Sequence, residues 1–117
     1  MRFRARQRLR ADQDFLFVRS TGKRYSFSGF LGQAAINKNE LSAKRLGLKV
    51  SKKVGNAVIR NRMKRMFREL FRLHQTILPD RCDLVIVAHP SLPARKHKLI
   101  QDDFRKLCEL IKSKADI

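Results

Sequence analysis

The amino-acid sequence predicts one small domain in which helices and strands are mixed. Three patterns carry this. Apolar residues recur at helical spacing over residues 55–73 and again from about residue 97. Residues 45–50 alternate with a period of two. Residues 83–88 (DLVIVA) form a nearly continuous apolar run, as a strand buried on both faces shows. A chain of 117 residues with 43% apolar content suits one modest core. No internal repeat and no linker long enough for a second domain interrupts it, so residues 1–117 are read as a single domain.

The elements follow in chain order. Arginine occupies every second position from Arg2 to Arg10, and residues 1–9 are read as a mobile basic arm. Asp12 to Val18 suggests a short helix, capped by Asp12 and ended by Gly22. Tyr25 to Asn37 carries aromatic and β-branched residues with small spacers, as one or two strands would. Asn37 to Lys44 reads as a polar turn. Arg45 to Val50 is the next strand, expected to pair back as a hairpin, with Leu46, Leu48 and Val50 on one face and Lys49 on the other. Gly55 and Asn56 open the long helix, whose buried stripe is Ile59, Met63, Met66, Phe67, Leu70 and Phe71. Arg60 falls at the border of that stripe; Asn61, Arg62, Lys64, Arg65, Arg68 and Arg72 fall on the remaining surface. Pro79 stops the helix, and Pro90 and Pro93 shape the loop after the apolar strand. Ile100, Phe104, Leu107, Cys108 and Ile111 mark a terminal amphipathic helix.

Charge narrows the partner. The chain has 28 basic and 10 acidic residues, a formal net charge of +18 and a pI near 11.3. Such an imbalance repels itself in a compact state, so it points to a polyanion outside the fold. Between Ser51 and Arg72, eight Lys or Arg face a single acid, Glu69. A merely solvated helix face mixes signs, as i,i+4 pairing favours. This array, held on a strand–turn–helix, is what a folded nucleic acid selects. A membrane is the weaker reading, since no apolar run reaches the ~18 residues of a spanning helix. The basic start is followed by no apolar core, so it is not read as a secretory signal. Cys82 and Cys108 match no metal spacing and are read as reduced core residues of a cytoplasmic protein.

Signals of protein-based catalysis are poor. His74, His89 and His97 form no HExxH or other ligand pair. Asp80 and Asp83 suggest a metal pair only weakly, because Asp80 is explained as a turn residue after Pro79. No GxSxG or phosphate-binding glycine loop occurs. The free N–H groups of the helix that follows Val54-Gly55-Asn56 suit one phosphate, although helix-start glycines are common.

One segment resembles a known family. Leu46-Gly47-Leu48-x-Val50-Ser51-Lys52-Lys53-x-Gly55-x-Ala57-Val58-x-Arg60-Asn61-Arg62-x-Lys64-Arg65 is similar to the signature of the bacterial ribonuclease P protein subunit, and Arg60-Asn61-Arg62 resembles its RNR motif. Phe15 in the first helix, Gly22 after it, the DLVIVA strand and the last helix keep the family's order over nearly the whole chain. The resemblance implies an α+β fold: a two-layer α/β sandwich of about four strands and three helices. Their order would be α-β-β-β-α-β-α, with a left-handed β-α-β crossover, as in the second domain of a small-subunit ribosomal protein. General statistics favour the opposite hand.

The resemblance also implies a function. The protein would bind the ribonuclease P RNA as a monomer in a 1:1 complex and grip the 5′ leader of precursor tRNA. The RNA would perform the hydrolysis with Mg²⁺ that it holds itself. Lys52, Lys53, Asn56, Arg60, Asn61, Arg62, Lys64, Arg65 and Arg68 would hold the RNA subunit, mainly by its phosphates. The single-stranded leader would lie in a groove between the first helix and the open sheet face, where stacking platforms suit it. Phe15 and Phe30 match family positions there. Arg19 and Gln33 stand where the family commonly has aromatics, and arginine can both stack on a base and pair with phosphate.

Three other readings compete. A ribosomal-type structural RNA-binding protein would share the basic helix but not affect tRNA 5′ maturation. A self-sufficient nuclease would cleave alone and depend on His or Asp. A DNA-binding regulator would need a second recognition helix, and none is visible.

Overall fold

In the computed structural model, residues 7–9, 12–37 and 43–115 are described. Residues 1–6 of the basic arm and 38–42 of the polar turn lie outside the described residues. The elements are α1 (Asp12–Thr21), β1 (Lys23–Ser26), β2 (Phe30–Ile36), β3 (Arg45–Lys49), α2 (Ala57–His74), β4 (Cys82–Ala88), a 3-10 turn (Leu92–Ala94) and α3 (His97–Ala115). This is the α-β-β-β-α-β-α order expected from the sequence.

The four strands form one mixed sheet in the order β1-β2-β4-β3. β4 runs antiparallel to β2 and parallel to β3. Its composition explains its central place. Leu84 and Ile86 are buried on one face and Val85 on the other, so only a doubly covered position suits it. The expected hairpin from Arg45–Val50 is therefore corrected: β3 pairs with β4 across the α2 connection, and the hairpin of this sheet joins β1 to β2.

The outer edge of β3 is closed by the chain's own start. Leu9 N–H donates to Leu46 O at 3.0 Å, and Arg8 bridges Leu46 in parallel. Gln7 is buried and its side-chain amide donates to Gln75 Oε1 at 2.7 Å. The reading of residues 1–9 as a mobile arm thus fails for Gln7–Leu9. The reason is local: Leu9 is apolar amid arginines and fills a site beside Val18 and Val85.

α2 and α3 cover one face of the sheet. Phe67, Phe71 and Phe104 are fully buried there, and each contributes about 1.5–3 kcal/mol by leaving water. Met63, Leu70, Leu107 and Ile111 complete the expected helical stripes. Cys82 and Cys108 are free, buried thiols in this core, and burial pushes both up to about 12. α1 lies on the other face, over β2 and β4, with a smaller cluster of Leu9, Val18 and Val85. α1 leaves part of that face open.

Candidate nucleic-acid interface

The basic helix is fixed at its start. Ser51–Val54 turns the chain, with Val54 N–H donating to Ser51 O at 3.0 Å and Gly55 N–H to Lys52 O at 3.2 Å. Gly55 then adopts φ +155°, and a Cβ there would meet three Ile59 side-chain atoms at 3.0 Å. Glycine is the residue that tolerates both. Asn56 caps α2: its side-chain Oδ1 accepts from Ile59 N–H at 3.0 Å. One of the polar atoms assigned to RNA is therefore already engaged within the protein.

The buried stripe of α2 sets the direction of everything else. Met63, Phe67, Leu70 and Phe71 lock it to the sheet, so Asn61, Arg62 and Arg65 face solvent while Arg60, Lys64 and Arg68 flank them half-exposed. Lys52 and Lys53 stand exposed in the preceding turn. Among the described residues no acid lies within ion-pair distance of Arg62, Lys64, Arg65 or Arg68. Glu69, the lone acid, is taken by Arg72, whose Nε donates to Glu69 Oε2 at 3.0 Å. Arg60 has its Nε buried with no hydrogen-bond partner.

Arg8 adds a cation that the linear sequence did not assign to this face. The docking of Gln7–Leu9 brings it toward Arg68, whose pKa is drawn below the ordinary arginine value by burial first and by Arg8 second. Two like charges held together are unfavourable alone and favourable against phosphate. No motif signals this pairing; only the β3 edge contact reveals it.

The second surface is the open face under α1. Phe15 lies half-buried against β3, and a Cβ on Gly47 would meet its ring at 2.6 Å. Lys49 Nζ sits 5.3 Å above the centre of that ring. Arg19 is exposed on α1. Gln33 lies on the same sheet face, between Arg24 and Val85, and is 7% exposed. Lys49 and Arg24 were not assigned to the site from sequence, although the alternation of β3 already turned Lys49 to this face.

Phe30 is a correction. Side chains alternate along β2, so Phe30 points with Gly32 and Ala34 to the α2–α3 side. It is 2% exposed there, its ring 5.1 Å from Phe27 and 5.3 Å from Phe67. It borders a hollow of about 300 Å³ by Arg24, Leu31 and Val87 but offers no free ring face. It is a core residue.

Asp83 is committed as well. It is fully buried and accepts two hydrogen bonds from Arg45, at 2.9 and 2.8 Å, and one from Asn37 at 2.9 Å. That bidentate bond raises the Arg45 pKa above its ordinary value. Arg45 also reaches Asp14 on α1 at 3.6 Å, which ties the helix to the sheet. The carboxylate weighed as a metal ligand is instead a strut. His74 likewise ends α2, with Nδ1 2.8 Å from Leu70 O, and His89 pairs with Ser91 at 2.7 Å. No helix among the described residues is long and apolar enough to cross a membrane.

A family model described as Ribonuclease P matches residues 3–112. The chain belongs to the ribonuclease P protein family. A ribonuclease P protein component of Lachnoclostridium phytofermentans is 39% identical over 104 residues, covering 89% of this chain and 88% of that protein. Another, from Syntrophobacter fumaroxidans, is 44% identical over 91 residues, covering 77% and 75%. Among solved structures, an RNase P protein mutant of Staphylococcus aureus superposes with a TM-score of 0.82 at 30% identity, over 92% of this chain and 89% of that one. The Thermotoga maritima RNase P protein gives 0.73 at 28%, over 95% and 97%. The segment Leu46–Arg65 that resembles the family signature spans β3, the turn after it and the first half of α2.

Proposed function

We propose that this chain is the protein subunit of a ribonuclease P ribonucleoprotein, an endoribonuclease, and that it binds the RNA subunit through the α2 face. The observation that carries this is the rigid array of Arg62, Lys64, Arg65 and Arg68, unmatched by acids among the described residues, on a helix of this family. Phosphates are its natural ligands. Lys52, Lys53, Arg60 and Asn61 extend the same surface, and Asn56 serves it chiefly as the cap.

The open sheet face would take the 5′ leader of precursor tRNA. Phe15 offers a ring, Lys49 and Arg19 offer charge, and Gln33 and Arg24 offer hydrogen bonds nearby. Bases stacked on such a platform above a basic groove are held without sequence demand. The protein would sit as a monomer, 1:1 with its RNA, in the cytoplasm, and reduce repulsion between RNA subunit and substrate.

Hydrolysis belongs to the RNA in this reading. Mg²⁺ demands oxygen ligands in near-octahedral array. The α2 face offers cationic nitrogens, and Asp83 already serves Arg45 and Asn37. These donors do not fit the ion, so the metal is assigned to the RNA. The test is direct: purified protein is added to a bacterial ribonuclease P RNA at low Mg²⁺, and precursor tRNA cleavage is followed. Stimulated release of the leader is expected. No stimulation, or cleavage by RNA-free protein alone, would overturn the assignment.

A further inference from the structure

We propose that the RNA contact does not end at α2 but turns the corner at Arg62 into a groove that accepts one unstacked nucleotide of the RNA subunit. The groove lies between α2 and the start of α3 and holds about 300 Å³, the low end of the range for small-ligand sites. Its floor is apolar: Met63, Met66 and Pro93 line it. Its rim is cationic or titratable: Arg62, Arg95 and His97. No acid lines it.

Each part suits one portion of a nucleotide. A flat base lies on thioethers and a proline ring, surfaces that are polarisable and shed water readily. Its phosphates fall between the Arg62 and Arg95 guanidiniums, which bind them in a planar fork. Arg95, Lys96, His97 and Lys98 are all exposed and form a continuous basic run in the sequence. The first turn of α3 contains no acid, so nothing there competes with or repels a phosphate. A protein ligand would find a rim of one sign; a lipid surface would find a concave slot. An RNA strand with one base turned out satisfies floor and rim together.

This inference rests on the RNA-binding reading of α2, so the experiment separates the two. Affinity for a bacterial ribonuclease P RNA is measured against salt for the full chain, Arg65→Ala and Arg95→Ala. Both variants are expected to lose roughly tenfold, the scale of one charge-assisted contact, with the salt slope reduced by about one. If Arg65→Ala weakens binding and Arg95→Ala does not, the groove is overturned while the α2 reading stands. If neither weakens it, both fall.

A second measurement locates the base. Leu99→Cys places a thiol in the first turn of α3, next in sequence to the lining residue Ile100 and at a position 54% exposed, while Cys82 and Cys108 are buried and stay unmodified. A photoactivatable azidophenacyl group on that thiol should crosslink to an unpaired nucleotide, and Arg95→Ala should abolish the crosslink. Crosslinks only to paired nucleotides, or none at all, would overturn the seated base.

Discussion

The α2 face and the open sheet face are both basic, but they are built in opposite ways. The α2 face comes from one continuous stretch of chain, and its geometry follows from a helical period and a buried stripe. The open face gathers Phe15 from α1, Lys49 from β3, Gln33 from β2 and Arg24 from β1. The first needs only local structure to exist. The second exists only when four segments are in register. A slip in strand register should therefore disperse the open face while the α2 array, carried on one helix, keeps its spacing.

The sharpest way to break that contrast is to remove the strut that ties α1 to the sheet beside the open face. Asp83→Ala removes the buried acceptor shared by Arg45 and Asn37 and leaves the half-buried Arg45 to Asp14, 3.6 Å away. A loss of 3–5 kcal/mol, as for a broken buried pair, is expected on roughly that scale. Thermal and denaturant unfolding would show it. Unchanged stability would mean that the Asp83–Arg45 pair does not hold the sheet together.

Phe15→Ala tests the proposed leader role of the open face directly. A stacked base contributes about 1–3 kcal/mol, and that loss should appear with precursor tRNA and vanish with mature tRNA. RNA-subunit affinity should hold. If Phe15 acts only as packing beneath Lys49, the fold should instead lose about 3–5 kcal/mol and both tRNAs should weaken together. Binding to the two tRNAs beside a melting curve separates these outcomes.

The core beneath both surfaces has its own pH signature. Burial raises Cys82 and Cys108 from 9.0 to about 12, so the fold favours the protonated thiols. Their contribution is complete below pH 9.0 and is lost as pH rises toward about 12. The slope reaches up to about 1.4 kcal/mol per pH unit for each thiol. Unfolding curves from pH 8 to 10.5 should fall more steeply for this chain than for a variant with both cysteines changed to alanine. Equal slopes would contradict the buried-thiol account.

The smallest effect on stability belongs to the α2 face. Arg62→Ala and Arg65→Ala should each change folding by less than about 1 kcal/mol, because exposed cations contribute little. Each should reduce the salt slope of RNA binding by roughly one. Arg60→Ala should do more to the fold, since its Nε is already buried. An unfolded Arg65→Ala would dissolve the distinction between the two surfaces.

The same contrast explains what could be read from the sequence. The long helix, its buried stripe and the central strand were legible because each is a short-range pattern. The outward direction of the α2 cations inherited that legibility. Phe30 was misplaced because its aromatic character fits a platform and a core equally, and only the register of β2 against β4 decides the face. The β3 pairing was misread because nearness in sequence favours a hairpin, whereas the doubly apolar β4 claims the centre. Arg8 was invisible for the same reason: one apolar residue, Leu9, anchors it, and its neighbour Arg68 is far along the chain.

The docking of Gln7–Leu9 also governs how this protein behaves as a solution of many copies. A sheet with an open edge offers unpaired N–H and C=O groups to any other strand. The β1 edge is guarded by Lys23 and Arg24, both exposed. The β3 edge carries Lys49 at its end, and at Leu46 its cover is the chain's own Arg8 and Leu9. A chain shortened through Leu9 would uncover that edge beside the apolar site of Val18 and Val85. Size-exclusion chromatography would then find it shifted toward larger species, and the solubility of the protein would depend on Gln7–Leu9, which carry no signature motif.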